Sequence, residues 1–173
     1  WITDEGREKL HAYGIAPPVD GTAADGVLVI RITADRPGTV SFGVEFVSEQ
    51  PGVARAAGHA LFFEGRNRGE IGIPGALRWA LKARVLAEGG TIEAPNERLS
   101  VAGADSVTIL IDIATSFRRF DDVSGNPQAD IAARLDAAAA KPYEALLADH
   151  LAAHRALYDR LDIDLGRTPA ADR

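Results

Sequence analysis

The stretch GADSVTILIDIATSF, residues 103–117, decides how the rest of the chain is read. Val107, Ile109, Ile111 and Ile113 recur at strict two-residue spacing, while Thr108 and Asp112 interrupt the opposite face and Thr115 ends the run. Side chains alternate across a strand, so the pattern predicts a strand buried on one side. Each large apolar side chain removed from water contributes ~1.5–3 kcal/mol before conformational entropy is subtracted, and a partner sheet is needed to cover them.

Upstream, GVLVIRITAD (26–35) alternates Leu28, Ile30 and Ile32 against Val29, Arg31 and Thr33. Asp35-Arg36-Pro37-Gly38 reads as a turn, and the run TVSFGVEFV returns with Val40, Phe42, Val44 and Phe46 on one face. Two alternating runs joined this way predict a β-hairpin. Residues 48–58, rich in Gly, Pro and Ala, read as a loop before a short strand over 60–64. A second loop follows, carrying Gly65, Gly69, Gly72 and Gly75. Over 76–87 the alternation places Leu77, Trp79, Leu81, Ala83 and Val85 inward, with Arg78, Lys82 and Arg84 on a solvated, cationic face. Glu88-Gly89-Gly90 turns the chain into two short strands, over 91–94 and 98–102, around Pro95-Asn96. Antiparallel strands with turns every ~8–12 residues indicate a β-sandwich.

After Phe117 the period becomes helical. Asn126 before Pro127 is an N-cap and first-turn signature, opening a helix to about residue 140 with Ile131 and Leu135 on its apolar face. Lys141-Pro142 starts a second helix, 142–160, with Leu146, Leu147, Leu151, Leu157 and Tyr158 among its periodic positions. Residues 161–165 read as a short extended segment and the tail to Arg173 as loose. At the other end, 4–13 reads as a short helix stopped by Gly14 and Pro17-Pro18. The expected division is an N-terminal segment and linker over 1–25, a β-sandwich over 26–120, and a helical linker with a terminal extended segment over 121–173. The fold class is therefore mainly β, an antiparallel super-β-sandwich followed by two C-terminal helices.

Hydrophobic residues make up 46% of the 173 and charged residues 25%, a globular composition. No apolar run approaches the ~18 residues of a membrane span, and a net charge of −6 with scattered Lys and Arg offers no footprint for nucleic acid. Neither a membrane nor a nucleic-acid partner is expected. With no cysteine there is no disulfide framework and no thiolate metal site. Methionine is also absent, so the chain is expected to be a piece of something longer.

Few residues suggest chemistry. His150 and His154 have the i, i+4 spacing of a zinc pair, without a neighbouring glutamate base or an evident third ligand, and read as packed or solvated helix histidines. Asp121, Asp122, Asn126 and Asp130 depart from EF-hand spacing and read as a turn with a helix cap. Ser106, Ser116 and Ser124 sit in no nucleophile elbow. Gly65, Gly69, Gly72 and Gly75 do not have phosphate-cradle spacing. Glu64, Glu70, Glu93 and Glu97 have the residue type of a glycosidase carboxylate pair but nothing in the sequence pairs them, and they read as loop and surface acids. No catalytic, cofactor or metal residue is assigned.

Three ordered stretches, GVLVIRITADRPGTVSF (26–42), GIPGALRWALKARVLAEGGTI (72–92) and GADSVTILIDIATSFRRFDDVSGNP (103–127), precede the helix YEALLADHLAAHRALYDRLDIDLG (143–166). Together they resemble the N-terminal domain of glycoside hydrolase family 95, the inverting α-L-fucosidases, over about 26–173. The resemblance implies a super-β-sandwich and helical linker ahead of an (α/α)6 barrel that carries the catalytic groups, so the chain alone is expected to be inactive. The implied partners are that barrel in the same polypeptide and, through the whole enzyme, a fucosylated glycan. Relatives of this kind are often secreted or periplasmic. The family's first strands are not matched, which implies an unpaired sheet edge, and without a barrel the 142–160 helix is expected to self-associate. Residues 1–18 resemble a segment of the small D subunit of the phenylacetyl-coenzyme A oxygenase complex, and the two resemblances meet near residue 20. The rival reading is a carbohydrate-binding sandwich that uses the Trp79 strand or the 65–75 loop.

Overall fold

The computed structural model describes residues 25–163 and the backbone of 9–13. Nine strands and two helices form among them. The large sheet is antiparallel and runs β1 (Lys9–Tyr13), β2 (Leu28–Thr33), β9 (Ser106–Thr115), β6 (Arg78–Glu88), β5 (Ala60–Arg66), β4 (Gly52–Ala57). The small sheet runs β3 (Val40–Val44), β8 (Leu99–Ala104), β7 (Thr91–Glu93). Helices α1 (Pro127–Ala139) and α2 (Tyr143–Tyr158) pack on the large sheet's other face. The result is the expected antiparallel sandwich with two C-terminal helices, stacked in three layers.

The strand quoted at the outset is the hinge of this arrangement, and it is buried on both faces rather than one. Val107 and Ile109 join Leu61, Ala83 and Val85 against Val40, Leu99, Val101 and Ala104 of the small sheet. On the opposite face, Leu110 joins Val27, Val29 and Ala80 beneath Ile131, Leu135 and Ala138 of α1 and Leu146 of α2. Thr108 and Asp112 are buried as well, because each has a long-range partner. Arg31 Nη1 donates to Thr108 Oγ1 at 2.7 Å, and Arg134 reaches Asp112 from α1. Ile113 goes the other way and is 60% exposed, since neither covering layer extends to the end of the strand. The outer face of β6 is likewise only partly solvated, with Ala80 buried under α1 and Arg84 paired to Asp136 at 2.8 Å.

Other local expectations are corrected by long-range pairing. The hairpin does not form: β2 pairs with β9 from Leu28↔Ile111 to Thr33↔Ser106, whereas β3 pairs with β8 in the small sheet. The 34–39 turn therefore crosses between sheets, pinned where Gly38 N donates to Asp105 Oδ1 at 2.7 Å. Within 48–58 lies the edge strand β4, in register with β5 from Gly52↔Gly65 to Ala57↔Ala60. Residues 9–13 are a strand on the free side of β2, not the end of a helix, so the edge expected to stand unpaired is occupied there. The rest of 1–24 and residues 164–173, including the end of the predicted 161–165 segment, lie outside the described residues, and 161–163 have no regular secondary structure.

Both helices form where the signals place them. Asn126 Oδ1 accepts from Ala129 N and Pro127 opens α1, as the cap signature requires. Only Leu146 of α2 is buried. Tyr143 lies against Arg31, Leu146 against Val27 and Val29, and Asp149 shares Lys141 with Asp25. Along α2 these contacts step from residue 31 back to residue 25, so the helix rises toward the end of the sheet at which β9 finishes.

Candidate functional site

The two ends of the sandwich differ. At one, the turns are short and rich in positive-φ glycine, as at Gly38, Gly58, Gly89 and Gly90. At the other, the connections 45–51, 66–77 and 116–126 and the 94–98 turn come together. Their positions follow from register, because Arg66 faces Arg78, Trp79 faces Thr115 and Val44 faces Leu99. Exposed large apolar side chains concentrate here too, including Val47, Ile71, Ile73, Phe117 and Phe120.

Two of these connections are rigid turns. Glu70 and Ile73 exchange both backbone hydrogen bonds at 2.9 Å, with Ile71 (φ 50°) and Gly72 (φ 75°) between them. Positive φ at both central residues is the type I′ hairpin pattern, which β-branched isoleucine fits poorly. In the other, Arg119 and Asp122 close a turn that presents Phe120, and Arg119 Nε bonds Asp121 Oδ1 at 2.8 Å.

Between the 45–51 crossover and the 94–98 turn lies a cavity of about 630 Å³. Its base is aromatic. The rings of Phe46 and Phe63 are 6.3 Å apart, and Phe63 continues to Trp79 at 4.9 Å. The chain can pass this base only as glycine, because a Cβ on Gly52 would lie 2.7 Å from Trp79 Cη2 and 2.9 Å from Phe63 Cζ. Glu49, Gln50 and Glu97 form the polar rim, and among the described residues lining the cavity none is basic. Both rim segments are fixed. Gln50 N donates to Ser48 Oγ at 3.0 Å, Arg68 Nη2 donates to the Glu49 carbonyl at 3.0 Å, and Arg98 N donates to the Pro95 carbonyl at 3.3 Å.

Most residues singled out from the sequence do not converge. The His150 and His154 rings stand 6.2 Å apart, and His154 stacks on Tyr158 at 5.3 Å. Among the described residues no group of three His, Asp or Glu could hold a metal. Asp121 pairs with Arg119, Asp122 caps Ser124 N at 2.8 Å and Asn126 caps α1, so these oxygens serve separate local donors. Ser116 is buried and accepts from Arg78 N at 3.0 Å. Glu64 lies beside Arg55 at 3.8 Å and Glu70 stands in the Ile71 turn, whereas Glu93 is in β7. Glu97 alone of the four lines the cavity, as Glu49 does from the 45–51 segment. Trp79 is half-buried and lies behind Phe63 rather than on an open sugar-facing surface. Sequence reading missed Phe46, Phe63, Glu49 and Gln50 as a group. The sole signal was that the Val40 to Phe46 alternation stops abruptly at an exposed polar run.

Elsewhere charge serves cohesion. The Ser106 hydroxyl and the Arg31 guanidinium beside Glu88 hold its carboxyl below the usual range, with Arg31 Nη2 at 2.9 Å. Asp149 and Asp25 raise Lys141 above the ordinary lysine value, at 2.8 and 2.6 Å from its Nζ. No described helix is long and apolar enough to cross a membrane.

The described residues thus form a two-sheet antiparallel sandwich whose large sheet is covered on its outer face by two C-terminal helices. A family model described as glycosyl hydrolase family 65, N-terminal domain, matches residues 20–119, and the chain belongs to that family. The likeness to family 95 therefore stands at the level of a glycoside hydrolase N-terminal domain. No curated protein matches the sequence. Among solved structures, a protein provisionally assigned as a kojibiose phosphorylase from the human microbiome is similar at a TM-score of 0.44 and 12% identity, over 87% of this chain and 21% of that one. The chain thus spans about a fifth of that protein's length.

Proposed function

We propose that the chain is the non-catalytic N-terminal module of an α-L-fucosidase-like glycoside hydrolase, bracing an (α/α)6 barrel that follows it. Residues 26–120 make up the sandwich, with the 9–13 strand added at the edge of its large sheet rather than standing apart, and the helical segment from 121 onward leads toward the barrel. The observation that carries this reading is the unequal cover of α2. In its first half Tyr143 and Leu146 join the core of Val27, Val29 and α1, whereas Leu151, Leu157 and Tyr158, with Leu161 and Ile163 beyond, are exposed. Exposed apolar side chains gathered at the outgoing end of a domain are suited to a further packing partner. Family membership supports the glycoside-hydrolase part of the proposal, and the fucoside rests on the resemblance of the three ordered stretches to family 95 alone.

The test is fucose release from a 2′-fucosyl oligosaccharide by this chain and by the polypeptide extended with its downstream coding sequence. The chain alone should release none, and the extended polypeptide should turn over. Turnover by the chain alone, abolished by Glu64→Gln or Glu70→Gln, would overturn the scaffold reading. An extended polypeptide that cleaves α-glucosides and leaves fucosides intact would reassign the substrate.

The carbohydrate-binding alternative is favoured by one observation, the aromatic cleft. It differs from both surfaces considered from sequence, the Trp79 strand and the 65–75 loop.

A further inference from the structure

We infer that the cleft between the 45–51 crossover and the 94–98 turn is a binding subsite for a neutral saccharide of one or two pyranose units. The proposal rests on the carbohydrate-module reading only in its choice of ligand class. The geometry stands independently.

Four features select that ligand. The volume, about 630 Å³, lies within the ~300–1,000 Å³ of small-ligand sites. Phe46 is half-buried and offers part of its ring at the base, with Phe63 nearly covered behind it, so the base accepts an apolar face such as the C–H side of a pyranose. The rim carries Glu49 and Glu97 carboxylates and the Gln50 amide. A carboxylate accepts hydrogen bonds and, when ionised, donates none, so the occupant must bring donors, which sugar hydroxyls supply in pairs. The two rim carboxylates outweigh the neighbouring Arg68, whose Nη2 is held on the Glu49 carbonyl at 3.0 Å, so the cleft disfavours sulfated or uronic sugars. A wholly apolar peptide is a poorer fit, because it would strip water from both carboxylates and return no hydrogen bond.

The site is also preorganised. Glu49 lies in a segment held by Ser48 and Arg68, and Glu97 sits in the turn closed from Arg98 to Pro95. Gly52 lets the edge strand lie flat against the aromatic base without filling the space above it. Holding the rim in place before binding removes an ordering cost that a floppy loop would incur.

The experiment is a titration of the isotopically labelled chain followed by amide and aromatic NMR. The ligands are L-fucose, a 2′-fucosyl oligosaccharide, a neutral glucose disaccharide and a sulfated disaccharide. Saturable shifts confined to the segments around Phe46, Gln50, Phe63 and Glu97 are expected from a neutral sugar, with Kd near ~1 mM, the usual scale for a few hydrogen bonds and one apolar contact. Glu97→Gln and Glu49→Gln, both at exposed positions, should each weaken binding ~3–10-fold with melting unchanged, and Phe46→Ala should weaken it further. Lys82→Ala, in the separate groove beside His59 and Arg84, should leave it unchanged. If Phe46→Ala unfolds, the two glutamate variants decide the matter. The inference is overturned by no saturable shift from any neutral sugar at about 20 mM, by shifts mapping elsewhere, by equal binding of the sulfated sugar, or by full affinity in both glutamate variants. Scaffold and subsite fail separately, since fucose release by the extended polypeptide tests only the first.

Discussion

Replacing Arg134 by alanine should destabilise the domain more than any other single change to an α1 side chain facing solvent. The guanidinium forks onto Asp112, Nε to Oδ2 at 2.7 Å and Nη2 to Oδ1 at 3.2 Å. Asp112 lies in the middle of the central strand with its side chain 5% exposed, whereas Arg134 is 32% exposed. Breaking a fully buried pair leaves an uncompensated charge and costs ~3–5 kcal/mol. Because Arg134 is about one-third exposed, water can partly reach the vacated space, and we expect ~2–3 kcal/mol. For a chain of this length that is a fall of roughly 4–12 °C in Tm, at ~2–4 °C per kcal/mol. Urea denaturation of Arg134→Ala, Asp112→Ala and the double variant gives the coupling directly, expected at ~1–3 kcal/mol. A well-packed apolar pair at both positions should be close to neutral, because desolvation of the charges disappears with them. A single Arg134→Ala loss below ~0.5 kcal/mol, or a double variant equal to the sum of the singles, would refute the claim that this pair joins the helical layer to the sheet.

Ile71→Asn should stabilise the chain by ~0.5–1.5 kcal/mol in denaturant melts, because asparagine tolerates the positive φ that isoleucine resists and the side chain lost is 96% exposed. Stability should decline in acid partly through Glu88. Its folded pKa is depressed, so its contribution is present above the unfolded value and is lost as pH falls through the folded one, below the ordinary glutamate range. With its side chain 65% exposed that contribution is a few tenths of a kcal/mol, and Arg31→Met should lessen the fall in stability between pH 6 and pH 3 by no more than that. The exposed stripe of α2 should drive concentration-dependent self-association in sedimentation, reduced by Leu157→Glu with Tyr158→Ser. A chain monomeric at every concentration would show that the stripe is too small to associate.

Strand existence was legible wherever large apolar residues alternate, as in β6 and β9, and α1 was legible because Asn126 and Pro127 form its cap and first turn. Three kinds of information were not. Polar residues with distant partners look solvated, so Thr108 and Asp112 disguised a second buried face until Arg31 and Arg134 were brought to them. Small side chains hide an edge strand, because β4 half-buries only Ala54 and Ala56 and shows no large apolar alternation. Alternation also says nothing about partners. The run from Leu28 to Thr33 is equally suited to a neighbour in sequence and to β9, and the wide apolar face of β9 decides in favour of the latter.

That last point also explains where the cleft lies. Because β2 and β3 belong to different sheets, the chain must cross the sandwich at one end, over 34–39. Having placed β3 in the small sheet and β4 in the large one, it must cross back at the other, over 45–51. The first crossing is tied shut, with Asp105 accepting from Gly38 N and Ser41 accepting from Gly103 N at 2.9 Å. The second enters β4 through Pro51, which has no N–H to donate, and passes Phe63 and Trp79 at Gly52, where no side chain fits. Among the described residues, the hydrogen bonds at that crossing, Gln50 N to Ser48 Oγ and Arg68 Nη2 to the Glu49 carbonyl, do not reach the small sheet, and the mouth beside it has Phe46 and Phe63 at its base. The carboxylates at its rim come from the turns that such an opening leaves facing water. A topology that prevents a hairpin thereby produces a cleft, and none of the segments lining it carries the pattern of a site when read alone.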